Sequence, residues 1–154
     1  MKRILALAVL FFIASACAGA ITLSELQIGG VAAGATEASV VEHLGEPLQR
    51  AEAGEGTELH YAGLVVTVGW LDLQAPDQER RVTALLGTGP QACTPRGLCP
   101  GMPVAAASRL YGPPQVAERE TGTFLEYYPD GPGCWLQVAD AAGSIISVAV
   151  ACMP

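Results

Sequence analysis

Beyond residue 30 the apolar and polar positions follow one scheme, and the chain runs through it twice. Val40, Val41 and Leu44 recur at helical spacing. Thr36 stands where an N-cap belongs, and Gly45 and Pro47 close the run. The second pass places Pro103 at a first helical position, a helix over 104–111, and a stop at Gly112-Pro113-Pro114. Polar, glycine-bearing connections over 49–56 and 115–122 come next. Each pass then ends in three stretches of period-two alternation, read as strands over 57–62, 64–71 and 81–86, and over 123–128, 134–139 and 145–152. Turn chemistry separates them at Ala62-Gly63, Gln74–Asp77, Pro129–Gly133 and Asp140–Gly143. Residues 21–30 add a short helix or strand at the entrance.

The parallel holds residue by residue. Gly34 to Gly45 spans the same distance as Gly101 to Gly112, and Gly56-Thr57-Glu58-Leu59-His60-Tyr61 answers Gly122-Thr123-Phe124-Leu125-Glu126-Tyr127. A period near 65 residues is longer than the roughly 20–50 of solenoid units, so the pattern reads as a small domain duplicated in tandem. The expected fold is α+β: two repeats, 21–92 and 93–154, each a short helical segment on a three- to four-stranded antiparallel sheet. One repeat alone buries little, which favours a continuous sheet with helices on one face.

Alternation also assigns faces. With Leu59, Tyr61, Val66, Val68, Leu125, Tyr127, Leu136, Val138, Ile146, Val148 and Val150 toward the helices, the open face receives Glu58, His60, Thr67 and Thr83 from the first repeat. From the second it receives Phe124, Glu126, Tyr128, Trp135, Gln137 and Ser147. A one-sided sheet is expected to be polar on its free face. Three aromatics beside Gln and Glu there suggest a protein-binding platform, because aromatic rings give large contact area at low entropy cost. The competing reading is cross-strand stacking, with each pair contributing roughly 0.2–1 kcal/mol to the sheet.

The first twenty residues have the form of an export signal. Lys2-Arg3 precede an apolar run over 4–13 and the small-residue region Ala14–Ala20. That run is too short for a span, which needs about 20 residues. Ala18-Gly19-Ala20 favours cleavage after Ala20; the alternative is cleavage before Cys17 with a lipid anchor there, where Ala14 replaces the usual Leu-like residue. Four cysteines then remain, Cys93, Cys99, Cys134 and Cys152, and an even number in an exported protein reads as two disulfides. A hairpin about Gly143 puts Cys134 opposite Cys152, Leu136 opposite Val150 and Val138 opposite Val148, leaving Cys93 for Cys99. Pairing 93–134 with 99–152 is the second choice. Once tied, the loop Pro95-Arg96-Gly97-Leu98 is either a rigid exposed tip or a brace between the repeats.

Removing Lys2 and Arg3 takes the net charge from −7 to −9 and leaves six arginines and no lysine. An acidic surface repels phosphate backbones, so nucleic acid is not an expected partner. No basic amphipathic stretch suits a membrane surface either.

Gly34-Ala35 and Gly101-Met102 opening each unit, the short helix, and the stops Leu44-Gly45-x-Pro47 and Tyr111-Gly112-x-Pro114 together resemble one superfamily. It joins the β-lactamase inhibitory proteins with the small outer-membrane assembly lipoproteins of the SmpA/OmlA type. Arg96-Gly97-Leu98 leading into Gly101-Met102 fits its repeat entrance. The resemblance covers most of residues 28–152 on short apolar motifs. It implies helical segments on antiparallel sheets, two units in the inhibitor branch, and a habit of binding proteins. The inhibitors' acid-bearing loop has no counterpart that can be placed here, so no target carries over.

Little in the chain suits catalysis, and none is expected. His43 sits beside Glu42 on the first helix as a rim residue, while His60 beside Glu58 is the one candidate base. Gly-x-Ser-x-Gly, His-Glu-x-x-His, phosphate-cradling loops and Cys-x-x-Cys are all missing. No cofactor or metal is expected. The sequence therefore predicts an exported protein-binding or inhibitory module. Envelope assembly, with a lipid anchor on Cys17, is the alternative, and an enzyme using His60 and Glu58 is third.

Overall fold

Residues 19–54, 56–70, 79–131 and 133–153 are described here by a computed structural model. Most of the expected export signal, with Cys17, and the expected 74–77 loop lie outside them. A 3-10 turn over Leu23–Glu25 leads into a two-residue ribbon of β1 (Gln27–Ile28) and β2 (Val31–Ala32). Helix α1 (Glu37–Leu44) starts where Thr36 Oγ1 accepts the Ser39 amide at 3.1 Å, satisfying a donor that the first turn leaves unpaired. Gly45 ends it at φ 81°, its N–H bonded to the Val41 carbonyl. Helix α2 (Ala105–Tyr111) begins two residues past Pro103, later than the proline alone implies. Pro103 instead bridges Ser144, and the Val104 amide donates to the Gly143 carbonyl. Gly112 ends α2 at φ 82° with its N–H on the Ser108 carbonyl.

The remaining strands are β3 (Gln49–Ala53), β4 (Gly56–Tyr61), β5 (Leu64–Gly69), β6 (Arg81–Gly87), β7 (Gln115–Arg119), β8 (Gly122–Tyr127), β9 (Cys134–Ala141) and β10 (Ser144–Cys152). They form one antiparallel sheet in the order β3-β4-β5-β6-β10-β9-β8-β7. Read inward from either edge, the order is the same: four consecutive strands as a meander. The two series meet where Gly87 pairs with Val148 and Ala84 with Ala151.

Strands β3 and β7 correct the reading of 49–56 and 115–122 as connections. Both lie at sheet edges, where most of their side chains face solvent and no apolar alternation is required of them. Matching side-chain bonds tie each edge to its neighbour. Thr57 Oγ1 donates to Glu52 at 3.1 Å, and Thr123 Oγ1 donates to Glu118 at 2.9 Å.

Leu59, Val66, Val68, Val82, Leu85, Leu136, Val138, Val148 and Val150 are buried on one face against Val40, Ile28, Val31, Ala106, Ala107 and Tyr111. Both helices and the small ribbon therefore cover the same side. A β-bulge between Ile145 and Ser147 alters the expected facing there. Ile145 enters the core at 2% exposure, while Ile146, expected in the core, is 53% exposed.

Disulfides join Cys93 to Cys99 and Cys134 to Cys152. The β9–β10 register sets Cys134 opposite Cys152, Leu136 opposite Val150 and Val138 opposite Val148. The loop closed by Cys93–Cys99 is a brace. Leu98, Ala92 and Thr94 are buried, and Thr94 Oγ1 receives the Tyr111 hydroxyl at 2.7 Å and the Leu98 amide at 3.1 Å.

Candidate functional site

The open face takes every second residue of the eight strands, and the pairing fixes its rows. One row runs His60, Val65, Leu86, Ala149, Gln137, Glu126; the next runs Glu58, Thr67, Ala84, Ala151, Trp135. The residues expected on this face thus share it but form two groups. His60 and Glu126 are separated by five strand steps, about 24 Å at the ~4.8 Å spacing of neighbouring strands. Between them lies a low apolar stretch of alanines with Val65 and Leu86. Leu86 is 43% exposed and Ile146, turned out by the bulge beside Ser147, adds to it.

At the first-half end, His60 Nε2 lies 3.0 Å from Glu58 Oε2, each side chain about one-third exposed. Residues two apart on one strand point the same way, so the contact follows from the pleat. Thr67, opposite Glu58, continues this end of the face.

The second-half end is built around Glu126, which is 1% exposed. A buried carboxylate is costly unless its oxygens are satisfied, and here four donors reach it. Arg119 Nε and Nη2 donate at 3.1 and 2.8 Å in a fork, Gln137 Nε2 donates at 2.8 Å, and the Tyr128 hydroxyl donates to Oε2. Burial pushes the carboxyl's pKa up. The bonds from Arg119, Tyr128 and Gln137 and the Arg119 charge more than reverse this, holding it at about 2. The anion in turn raises the Arg119 guanidinium, while burial followed by the bond to Glu126 raises the Tyr128 hydroxyl.

The aromatics pack onto this network. Tyr128 stacks on Trp135 with ring centroids 5.8 Å apart and planes 23° apart, and the Arg119 guanidinium lies over the indole at 5.8 Å. Tyr128 remains 43% exposed, whereas the indole Nε1 is buried without a hydrogen-bond partner among the described residues. An unpaired buried donor of this kind costs about 1–3 kcal/mol. Phe124 is half-buried next along β8, across from Ala117. Cross-strand stacking and an exposed aromatic edge therefore coexist here.

Arg119 belongs to this cluster but is absent from the sequence expectation, because β7, which carries it, is almost wholly exposed and shows no apolar alternation. A usable signal existed: Glu126 assigned to a sheet interior requires a cation within reach. Ile146, Leu86, Ala149 and Ala151 were also missed as members of the open face, the first because a bulge breaks strict alternation.

No described helix is long and apolar enough to cross a membrane, and no group of three metal-ligating side chains occurs among the described residues. No family model matches the chain, and no curated protein matches it. Two solved structures are similar in shape at low identity. One is YjgB, a DUF4309 family protein from Bacillus subtilis, 14% identical over 77% of this chain and 78% of that one, with TM-score 0.47. The other is an extracellular protein containing an SCP domain from Bacillus anthracis, 12% identical, with TM-score 0.46; the match spans 97% of this chain but half of that one. Neither likeness assigns a family or an activity to this chain.

Proposed function

We propose that this chain is an exported protein-binding or inhibitory module that docks a protein partner on its open sheet face. The observation that carries the reading is the surface that both helices leave uncovered. Leu86, Ile146 and Tyr128 are each more than 40% exposed there, beside alanines and the Trp135 ring. Apolar and aromatic groups on a free sheet face, with few charges, mark an interaction surface. Glu126 and Arg119 neutralise one another, so a partner covering this end need not desolvate a lone charge. His60 and Glu58 form the polar rim at the far end. Two disulfides support an oxidising compartment outside the cytoplasm.

The two halves are read as copies of one unit. The mirrored strand order, matching helix stops at Gly45 and Gly112, and the Thr57–Glu52 and Thr123–Glu118 bonds support this. It also agrees with the sequence resemblance to the two-unit inhibitory proteins. A cell-envelope assembly role would use the same face, with Cys17 as the tether.

A photo-crosslinking residue at Ala149, compared with one at Glu42 on the helix side, tests the proposal in envelope and secreted extract of the source organism. A partner captured from Ala149 alone, and lost in a folded Trp135→Ala/Tyr128→Ala variant, supports the open face. Equal capture from Glu42, or capture indifferent to the double substitution, rejects it.

A further inference from the structure

Arg96 bears on where the export signal is cut. A guanidinium has five N–H donors, and each has an acceptor here. Nε donates to Glu25 Oε1 at 2.5 Å. Nη2 donates to Glu25 Oε2 at 2.9 Å and to the Ala20 carbonyl at 3.0 Å. Nη1 donates to the Gly19 carbonyl at 2.7 Å and the Leu110 carbonyl at 3.0 Å. The group lies 4.7 Å over the Tyr111 ring, and its side chain is 21% exposed. Glu25 is itself taken up, accepting the Thr22 amide and hydroxyl besides the arginine. Ile21, next in the chain, is buried at 5% exposure. Gly19 and Ala20 therefore hold places in the folded body.

Cleavage after Ala20 would remove two of the five acceptors. It would also create an ammonium on the Ile21 nitrogen. That nitrogen is one peptide bond from the Ala20 oxygen, so it lies within about 5 Å of Arg96 Nη2 and would set like charges together. Ala14-Ser15-Ala16 and Ala16-Cys17-Ala18 offer the same small-x-small pattern as Ala18-Gly19-Ala20 and lie upstream of both carbonyls. We propose that export processing cuts after Ala16 or after Ala18, upstream of Gly19, so that the mature chain keeps Gly19 and Ala20 as structural residues. Water adds across the cut amide: the C–N bond breaks, hydroxyl goes to the carbonyl carbon and hydrogen to the nitrogen. The leader leaves with a new carboxylate, and the first mature residue carries the new α-ammonium.

The test is the intact mass and N-terminal peptide of the exported protein, produced from the full chain with its own leader. A start at Cys17, its sulfur bare or carrying a lipid mass, or a start at Gly19 supports the proposal. A start at Ile21 overturns it. Independently, purified oxidised chains beginning at Cys17 (as Cys17→Ser), Gly19 and Ile21 are melted side by side. The first two should melt together and the third lower by roughly 5 °C, the scale expected for losing two charge-assisted bonds in a domain of this size. Introducing Arg96→Ala should erase the difference between starts. Equal melting of all three wild-type chains, or a difference that survives Arg96→Ala, would remove the structural ground for the proposal.

Discussion

Replacing Glu126 with Gln tests whether the second-half cluster is held by charge or by shape. Gln has nearly the same volume but is never an anion, and its amide nitrogen cannot accept from Arg119 or Tyr128. The carboxyl is 1% exposed and titrates at about 2 against an ordinary 4.5. At 1.36 kcal/mol per pH unit that gap corresponds to about 3 kcal/mol of folded-state preference for the anion. A depressed pKa in the folded state contributes stability that is fully present above pH 4.5 and is lost as pH falls toward 2. Glu126→Gln should therefore be about 3 kcal/mol less stable at pH 7, with the gap shrinking below about 1 kcal/mol near pH 2. Urea unfolding with disulfides intact, at pH 7, 5.5, 4 and 2.5, measures it. Glu25 is also held at about 2, chiefly by Arg96, so the wild type loses more stability in acid than Glu126 alone accounts for; Glu25 is present in both proteins and cancels in the difference. A gap that stays constant across the series would refute the electrostatic reasoning and assign the loss to packing.

Three further outcomes are expected. Cys134→Ser/Cys152→Ser opens a loop of sequence separation 18 and should cost about 3 kcal/mol by urea unfolding. Cys93→Ser/Cys99→Ser, with separation 6, should cost nearer 2 kcal/mol. Gly45→Ala and Gly112→Ala meet no neighbouring atom within 4 Å, so each should cost the same 1–3 kcal/mol or so of backbone strain in thermal or urea unfolding. Leu86→Asp, on the open face, should change stability by less than about 1 kcal/mol while abolishing capture from an Ala149 crosslinker.

Helix stops, hairpin register and the core face were legible because each rests on local chemistry: Gly before x-Pro, alternation of valines and leucines, and cysteines at matching pleats. The edge strands were not, because β3 and β7 carry no burial requirement and so no alternating signal. The bulge at Ile145–Ser147 was hidden for a related reason: a single inserted residue resets the period without changing composition. The residues of the open face were legible one by one but not as an arrangement. Faces follow from parity, whereas the distance from His60 to Glu126 depends on the order of strands. The sequence likewise left open whether the Cys93–Cys99 loop was a tip or a brace, since the burial of Leu98 and Thr94 depends on a partner, Tyr111, in a different element.

The place of β10 in the sheet has a consequence for how the chain is made. The last strand fills the centre, between β6 and β9, so β6 keeps one edge unpaired until residues roughly sixty positions later arrive. While the chain is still emerging, the first half presents an open hydrophobic strand with no local means of closing it. Closure through such distant pairs is slow relative to local meanders. A chain ordered this way cannot complete its sheet until its C-terminal strand is available. Truncation by even the final strand should leave both halves without their common seam.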